Sequence, residues 1–226
     1  MSDKARAAAD KSVYDEMYRS DDTTYERPTS SPYYPMFLEA AARVRALGVT
    51  QLLEVGCGSG VLAEIVLRSG IGYRGFDLSD VAVEKARRRN PGAEFFVGDA
   101  TDPGCYAAPY DGILCCEVLE HIPGDLDAMA LWRPGTRCAC SVPNFDYATH
   151  VRHFRTEKEV VERYGRLIDI AKIGRITKPA RANVSWPLYL RKLRWARGDP
   201  KAFLGLMGVN AFDWGGGWFL FSGTRL

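Results

Sequence analysis

The seven residues Glu54-Val55-Gly56-Cys57-Gly58-Ser59-Gly60 constrain the fold more than any other stretch. An apolar run, Gln51 to Val55, leads into them, and a helix-permissive run from Val61 to about Arg68 leads out. Glycines at alternate positions between a strand and a helix let a ligand approach the backbone, where a side chain would block it. The helix start beyond them offers N–H groups with no partner inside the helix. The spacing then sorts among ligand loops. A dinucleotide loop, Gly-x-Gly-x-x-Gly, needs its third glycine at position 61, where the sequence has Val61. A Walker loop needs Gly-Lys-Ser/Thr, which is absent.

Around this loop, short apolar runs alternate with helical ones. Strands are expected at Gln51–Val55, Gly72–Asp77, Glu94–Val97, Gly112–Cys116 and Arg137–Val142. A helix over Val81–Arg89 is stopped by Asn90-Pro91-Gly92. Such alternation implies βαβ units and a parallel sheet. Right-handed crossovers then bring the strand ends, and any ligand, to one edge. Upstream, Ser2–Tyr18 is helix-permissive, with Tyr14, Met17 and Tyr18 on one face. A proline-broken loop over Ser20–Pro35 follows, then a helix over Met36–Leu47 closed by Gly48. Downstream, Thr156–Tyr164 is expected as a helix, Leu167–Ile176 as a strand and Trp218–Leu226 as the last strand. Residues 178–217 are expected to form an insertion before that strand.

At 226 residues the chain suffices for one core and falls short of two. The reading is one domain, 1–226: a cap over 1–48, a core over 49–155 and a C-terminal part over 156–226. A net charge of +2 gives no global pull toward nucleic acid or an acidic membrane. No apolar run reaches the length of a membrane span, and Met1–Lys11 has no apolar signal region, so a cytoplasmic protein is expected. The six cysteines lack metal-ligand spacing and read as reduced thiols packed in core strands.

Further matches occur in order along the core. Asp77 ends Gly75-Phe76-Asp77-Leu78-Ser79, Asp99 lies in Val97-Gly98-Asp99-Ala100, and Tyr110 to His121 and Ser141-Val142-Pro143-Asn144 follow. With Glu54 to Gly60 they resemble, over about residues 50–155, the class I S-adenosylmethionine-dependent methyltransferases, especially their small-molecule, quinone-biosynthesis-like branch. The resemblance implies a Rossmann-like α/β fold. Its seven-stranded, mostly parallel sheet would carry helices on both faces, an N-terminal helical cap and the insertion before the last strand. It implies S-adenosylmethionine as cofactor and S-adenosylhomocysteine as product. Glu54, Gly56, Gly58, Gly60 and Glu117 would lie at the methionine portion, Asp77 and Leu78 at the ribose, and Asp99 and Ala100 at the adenine. A carboxylate suits the ribose because it accepts two hydrogen bonds without competing as a donor.

Methyl transfer from a sulfonium is an in-line displacement, in which the protein aligns the nucleophile and excludes water. A base is needed only if the acceptor must lose a proton. The chain's three histidines, His121, His150 and His153, are the candidates. Arg152 could orient an anionic group on the acceptor, and Tyr25, Tyr33 and Tyr34 in the cap could contact acceptor or cofactor. Trp186, Tyr189, Trp195, Phe212 and Trp214 could line an apolar pocket or simply seat the insertion, and Arg191–Arg197 reads as a solvated basic face. The expected acceptor is an O, N or C nucleophile of a small molecule, with no membrane or nucleic-acid partner. Two alternatives stay open: a metal-assisted RNA 2′-O-methyltransferase and an inactive S-adenosylmethionine-binding module. The first draws on Glu117, Glu120 and His121, spaced to share one helical face, with His150 or His153 as a fourth ligand. No metal is expected, because the sulfonium is already electrophilic.

Overall fold

The computed structural model describes residues 10–20, 28–178 and 211–226, with isolated positions 190, 198, 200 and 204. Tyr25, Trp186, Tyr189, Trp195 and most of the expected insertion lie outside the described residues, as does the whole basic run 191–197.

Seven strands form one sheet: β1 (Gln51–Val55), β2 (Gly72–Asp77), β3 (Glu94–Val97), β4 (Gly112–Cys116), β5 (Arg137–Pro143), β6 (Ile168–Thr177) and β7 (Gly217–Arg225). Their order is β3-β2-β1-β4-β5-β7-β6. The first five are mutually parallel, and β7 runs antiparallel between β5 and β6. β4 is buried at all five positions, as a central strand covered on both faces must be. β6 closes the edge and is largely exposed or half-buried.

Helices cover both faces. On one lie α2 (Tyr34–Leu47), α3 (Val61–Leu67) and α4 (Asp80–Arg89), packed on Leu52, Leu114, Ala139 and Leu220. On the other, α5 (Asp125–Ala130) and α6 (Glu157–Tyr164) pack on Leu53, Val55, Ile113, Cys115 and Phe219. Neighbouring strand residues thus feed opposite layers. Ser79 caps α4 and Thr156 caps α6, each accepting from a backbone N–H in the first turn. The short α5 was not legible in the sequence. Buried Asp125 anchors it, accepting from Arg163 Nε at 2.8 Å and from the Tyr164 hydroxyl at 2.9 Å.

The N-terminal helix α1 (Lys11–Ser20) lies against α4. No helix among the described residues is long and apolar enough to cross a membrane.

Candidate active site

One cavity of about 530 Å³ opens at the carboxyl ends of the parallel strands. Its floor is the loop between β1 and α3. Gly56 and Gly58 take the left-handed conformation, with φ of 71° and 52°. A Cβ at Gly56 would stand 2.2 Å from Val118 Cγ2, and one at Gly58 would stand 2.8 Å from the Tyr18 hydroxyl. Other residues are therefore excluded by strain and by space. The Gly56 and Cys57 N–H groups donate to the Phe76 carbonyl and tie the loop to the end of β2.

Asp77 follows at that strand end. Its Oδ2 accepts from the Gly58 N–H and its Oδ1 from the Ser79 N–H, both at 2.9 Å. Burial raises its pKa, while these backbone donors oppose the shift. Asp99 also lines the cavity, with one oxygen accepting from the Thr101 N–H and hydroxyl at 2.8 Å. Leu78, Ala100 and Glu117 lie in the wall. Glu54 reaches it from β1, almost wholly buried, and accepts a short hydrogen bond from the Tyr73 hydroxyl. Burial pushes the Glu54 carboxyl up to about 8. Gly60 is the exception among the expected cofactor residues. It caps the start of α3, and Asn90 Nδ2 donates to its carbonyl at 2.9 Å, so it shapes the loop from outside the cavity wall.

Beyond β4 the chain turns sharply. Glu117 has a φ of 59°, the one non-glycine residue in the left-handed region among those described. Its N–H donates to Ser141 Oγ at 3.1 Å. A 3-10 turn over Leu119–His121 follows, so Glu117 precedes the turn and the expected single helical face does not form. The contacts formed are different. The ligand atoms of Glu120, His121 and His150 all lie within 4.8 Å of one another. Both Glu120 carboxyl oxygens are buried, with the Glu117 carboxyl beside them as hydrogen-bond neighbour. Burial, then the neighbouring Glu117, holds the Glu120 carboxyl well above its usual range. His121 Nδ1 lies 3.0 Å from the Thr149 carbonyl, and His150 Nδ1 lies 3.2 Å from the Phe145 carbonyl. Only N–H donation satisfies those carbonyls, which assigns the proton to Nδ1 in both rings. Burial lowers the pKa of both, taking His150 to about 4.

Three of the expected residues lie outside the cavity wall. Arg152 is not in the cavity wall: its guanidinium donates to the Leu119, Ile122 and Pro123 carbonyls and pairs with Asp125, so its donors fasten the loop. His153 is exposed and outside the wall. Tyr34 starts α2 and packs on the core, outside the cavity, whereas Tyr33 lines it and rests on Trp218. Phe212 is buried against Phe219, 4.9 Å between ring centroids, in the second layer. The sequence reading also missed part of the wall. Tyr14, Met17 and Tyr18 enter it from α1, where their shared face was the only signal. Phe145, Tyr147, Thr149 and Lys178 enter it from loops that carried no motif.

The family model described as a methyltransferase domain matches residues 33–178. A ubiquinone biosynthesis O-methyltransferase of Aromatoleum aromaticum is 28% identical over 145 residues, 58% of this chain and 59% of that protein. One from Actinobacillus pleuropneumoniae serotype 5b is 36% identical over 87 residues, 34% of this chain and 36% of that protein. The matches thus span between about a third and three fifths of those curated relatives. Among solved structures, the [4+2]-cyclase SpnF superposes with a TM-score of 0.62 at 15% identity, covering 98% of this chain and 99% of that one. The N-methyltransferase NodS from Bradyrhizobium japonicum WM9, solved with S-adenosylhomocysteine, gives 0.61 at 13% identity, covering 95% and 99%. At such identities these two establish the fold alone, and a cyclase and an N-methyltransferase perform different chemistry.

Proposed function

This chain belongs to the methyltransferase domain family, and from that premise we propose that it moves a methyl group from S-adenosylmethionine onto an oxygen or nitrogen of a small-molecule acceptor. One observation carries the reading: the glycine loop, Asp77 and Asp99 share a single cavity with His121 and His150. The residues fit the cofactor. Gly56 and Gly58 add no side chain of their own to the loop, and Asp77 is aimed by backbone amides. Asp77 would hold the ribose, Asp99 and Ala100 the adenine, and the loop with Glu54 and Glu117 the methionine portion. When bound, the cofactor supplies an activated methyl group on a sulfonium.

The chain's own residues do the rest. Tyr14, Tyr33, Phe37, Phe145 and Tyr147 give the acceptor apolar walls and exclude water. His121 accepts the acceptor's proton at Nε2, since Nδ1–H is held by the Thr149 carbonyl and burial keeps the ring neutral near pH 7. A cytoplasmic location belongs to the same reading, supported by six cysteines that pack as buried thiols.

A second reading is favoured by the Glu120, His121 and His150 cluster. A buried carboxyl group beside two imidazoles whose Nδ1–H groups rest on carbonyls suits a divalent cation with mixed nitrogen and oxygen ligands, such as Mn, Fe or Zn. There it would polarise an acceptor hydroxyl. The first reading needs no metal. Turnover to S-adenosylhomocysteine, measured with phenolic, amine and RNA acceptors, tests both. Activity that survives exhaustive chelation and falls about 10²-fold or more in His121→Ala supports the first. Activity lost to chelator and restored by one ion, with parallel loss in Glu120→Gln, supports the second. S-adenosylhomocysteine binding without turnover on any acceptor would leave a binding module.

A further inference from the structure

We propose that Asp15 is a positioning residue for the cofactor's ribose, acting through Ser79 on Asp77; the proposal rests on the cofactor site assigned above. Asp15 lies on α1, 64 positions from the serine it touches. It is only 7% exposed, and a buried carboxylate is costly unless its oxygens are engaged. Its Oδ1 accepts the Ser79 hydroxyl proton at 2.6 Å, and its Oδ2 accepts from Lys11 Nζ at 2.7 Å. Ser79 is fully buried and uses every group it has. Its hydroxyl proton goes to Asp15, its Oγ accepts from the Ala82 N–H, and its own N–H donates to Asp77 Oδ1. A serine hydroxyl carries one proton, so Asp15 fixes the rotor that caps α4 and with it the residue aiming Asp77.

A second residue of α1 abuts the other side of this arrangement. Asp77 takes its other hydrogen bond from the Gly58 N–H. The Tyr18 hydroxyl lies 2.8 Å from the position a Cβ on Gly58 would take. The Ser79 and Gly58 N–H donors to Asp77 are thus abutted by α1, one through Asp15 and one through Tyr18. The same seating brings Tyr14 edge-on to His121, 5.8 Å between ring centroids. Lys11 also pairs with Asp80, but Asp80 is 59% exposed and makes an outer tether that does not lead to the ribose carboxylate.

The test uses the full chain and S-adenosylhomocysteine as probe. Calorimetry compares wild type with Asp15→Ala, Asp15→Asn and Asp80→Asn, and hydrogen exchange follows amides 11–20 and Ala82 with and without the probe. An asparagine oxygen can still take the Ser79 proton, so Asp15→Asn should bind within about threefold of wild type, whereas Asp15→Ala should bind about tenfold more weakly. Asp80→Asn should bind like wild type. The probe should slow exchange across α1 in wild type and Asp15→Asn but not in Asp15→Ala. Alanine binding within twofold of wild type, or asparagine losing as much as alanine, would overturn the proposal. So would wild-type α1 amides that the probe leaves unchanged, a result independent of how the variants fold. Absence of any probe binding to wild type would instead overturn the cofactor assignment itself.

Discussion

Asp77 shows how one side chain is readied for a ligand. A carboxylate has about four acceptor sites; the Gly58 and Ser79 amides take two and the Leu78 amide also bears on it, which leaves acceptor capacity for a ligand hydroxyl. Asp77→Ala should therefore cost S-adenosylhomocysteine roughly 1.5–3 kcal/mol of binding, the range for hydrogen bonds to a charged group. A variant that binds within twofold of wild type in calorimetry would remove Asp77 from the site. Glu54 makes a different prediction. Its folded pKa is raised to about 8 by burial, from an ordinary 4.5. Between those values the folded state holds a proton that the unfolded state has released. Stability from this group is thus full below about pH 4.5 and is lost as pH rises through about 8. Glutamine keeps an acceptor for Tyr73 and never ionises. Urea melts at pH 6 and pH 8 should show wild type losing on the order of 2 kcal/mol relative to Glu54→Gln over that interval. Parallel pH profiles of the two proteins would contradict the assignment.

At the scale of elements, what the sequence disclosed depended on where its constraints lay. β1 to β4 are short runs dominated by apolar residues, and β4, buried at every position, is wholly apolar after its glycine, so their limits were legible in the sequence; of the polar residues they carry, Glu54 and Asp77 sit toward the strand ends at the cavity. The antiparallel insertion of β7 between β5 and β6 was not legible, since it depends on pairings between distant segments. The site divides in the same way. Residues bound to the β1 and β2 ends by chain geometry were found. Arg152 looked like an anion anchor, and only the fold shows its donors spent on carbonyls. α1 gave a periodic face but not its destination. That destination sets the next prediction. Tyr33 stacks between Phe37 and Trp218, so a truncation must spare it. Removing residues 1–20 takes away Tyr14, Met17 and Tyr18 and leaves the sheet and α2 whole. The expected result is a cooperative melt within a few degrees of wild type, with kcat/KM lowered about tenfold or more, as for loss of a closing element. Unchanged turnover would deny α1 its part in the site.

The whole molecule is organised around one edge of its sheet. Both hydrophobic layers are filled from strand residues, so the faces are committed to packing and the carboxyl ends of β1, β2, β3 and β4 are left for chemistry. A ligand seated there touches the β1–α3 loop, the ends of β2 and β3, the turn after β4 and α1 together. Binding should therefore stabilise the chain as a unit, by about 2.7 kcal/mol at a hundredfold excess over Kd. For a chain of this size each kcal/mol moves Tm by about 2–4 °C, so S-adenosylhomocysteine should raise Tm by roughly 5–10 °C in one cooperative transition. NADH should leave Tm where it is. Val61 stands where the dinucleotide loop needs its glycine, and it is buried in the first turn of α3. The measurement is a pair of thermal melts at matched ligand concentrations. A shift with NADH and none with S-adenosylhomocysteine would mean that the glycine loop serves another nucleotide and that the acceptor chemistry built on it is wrong.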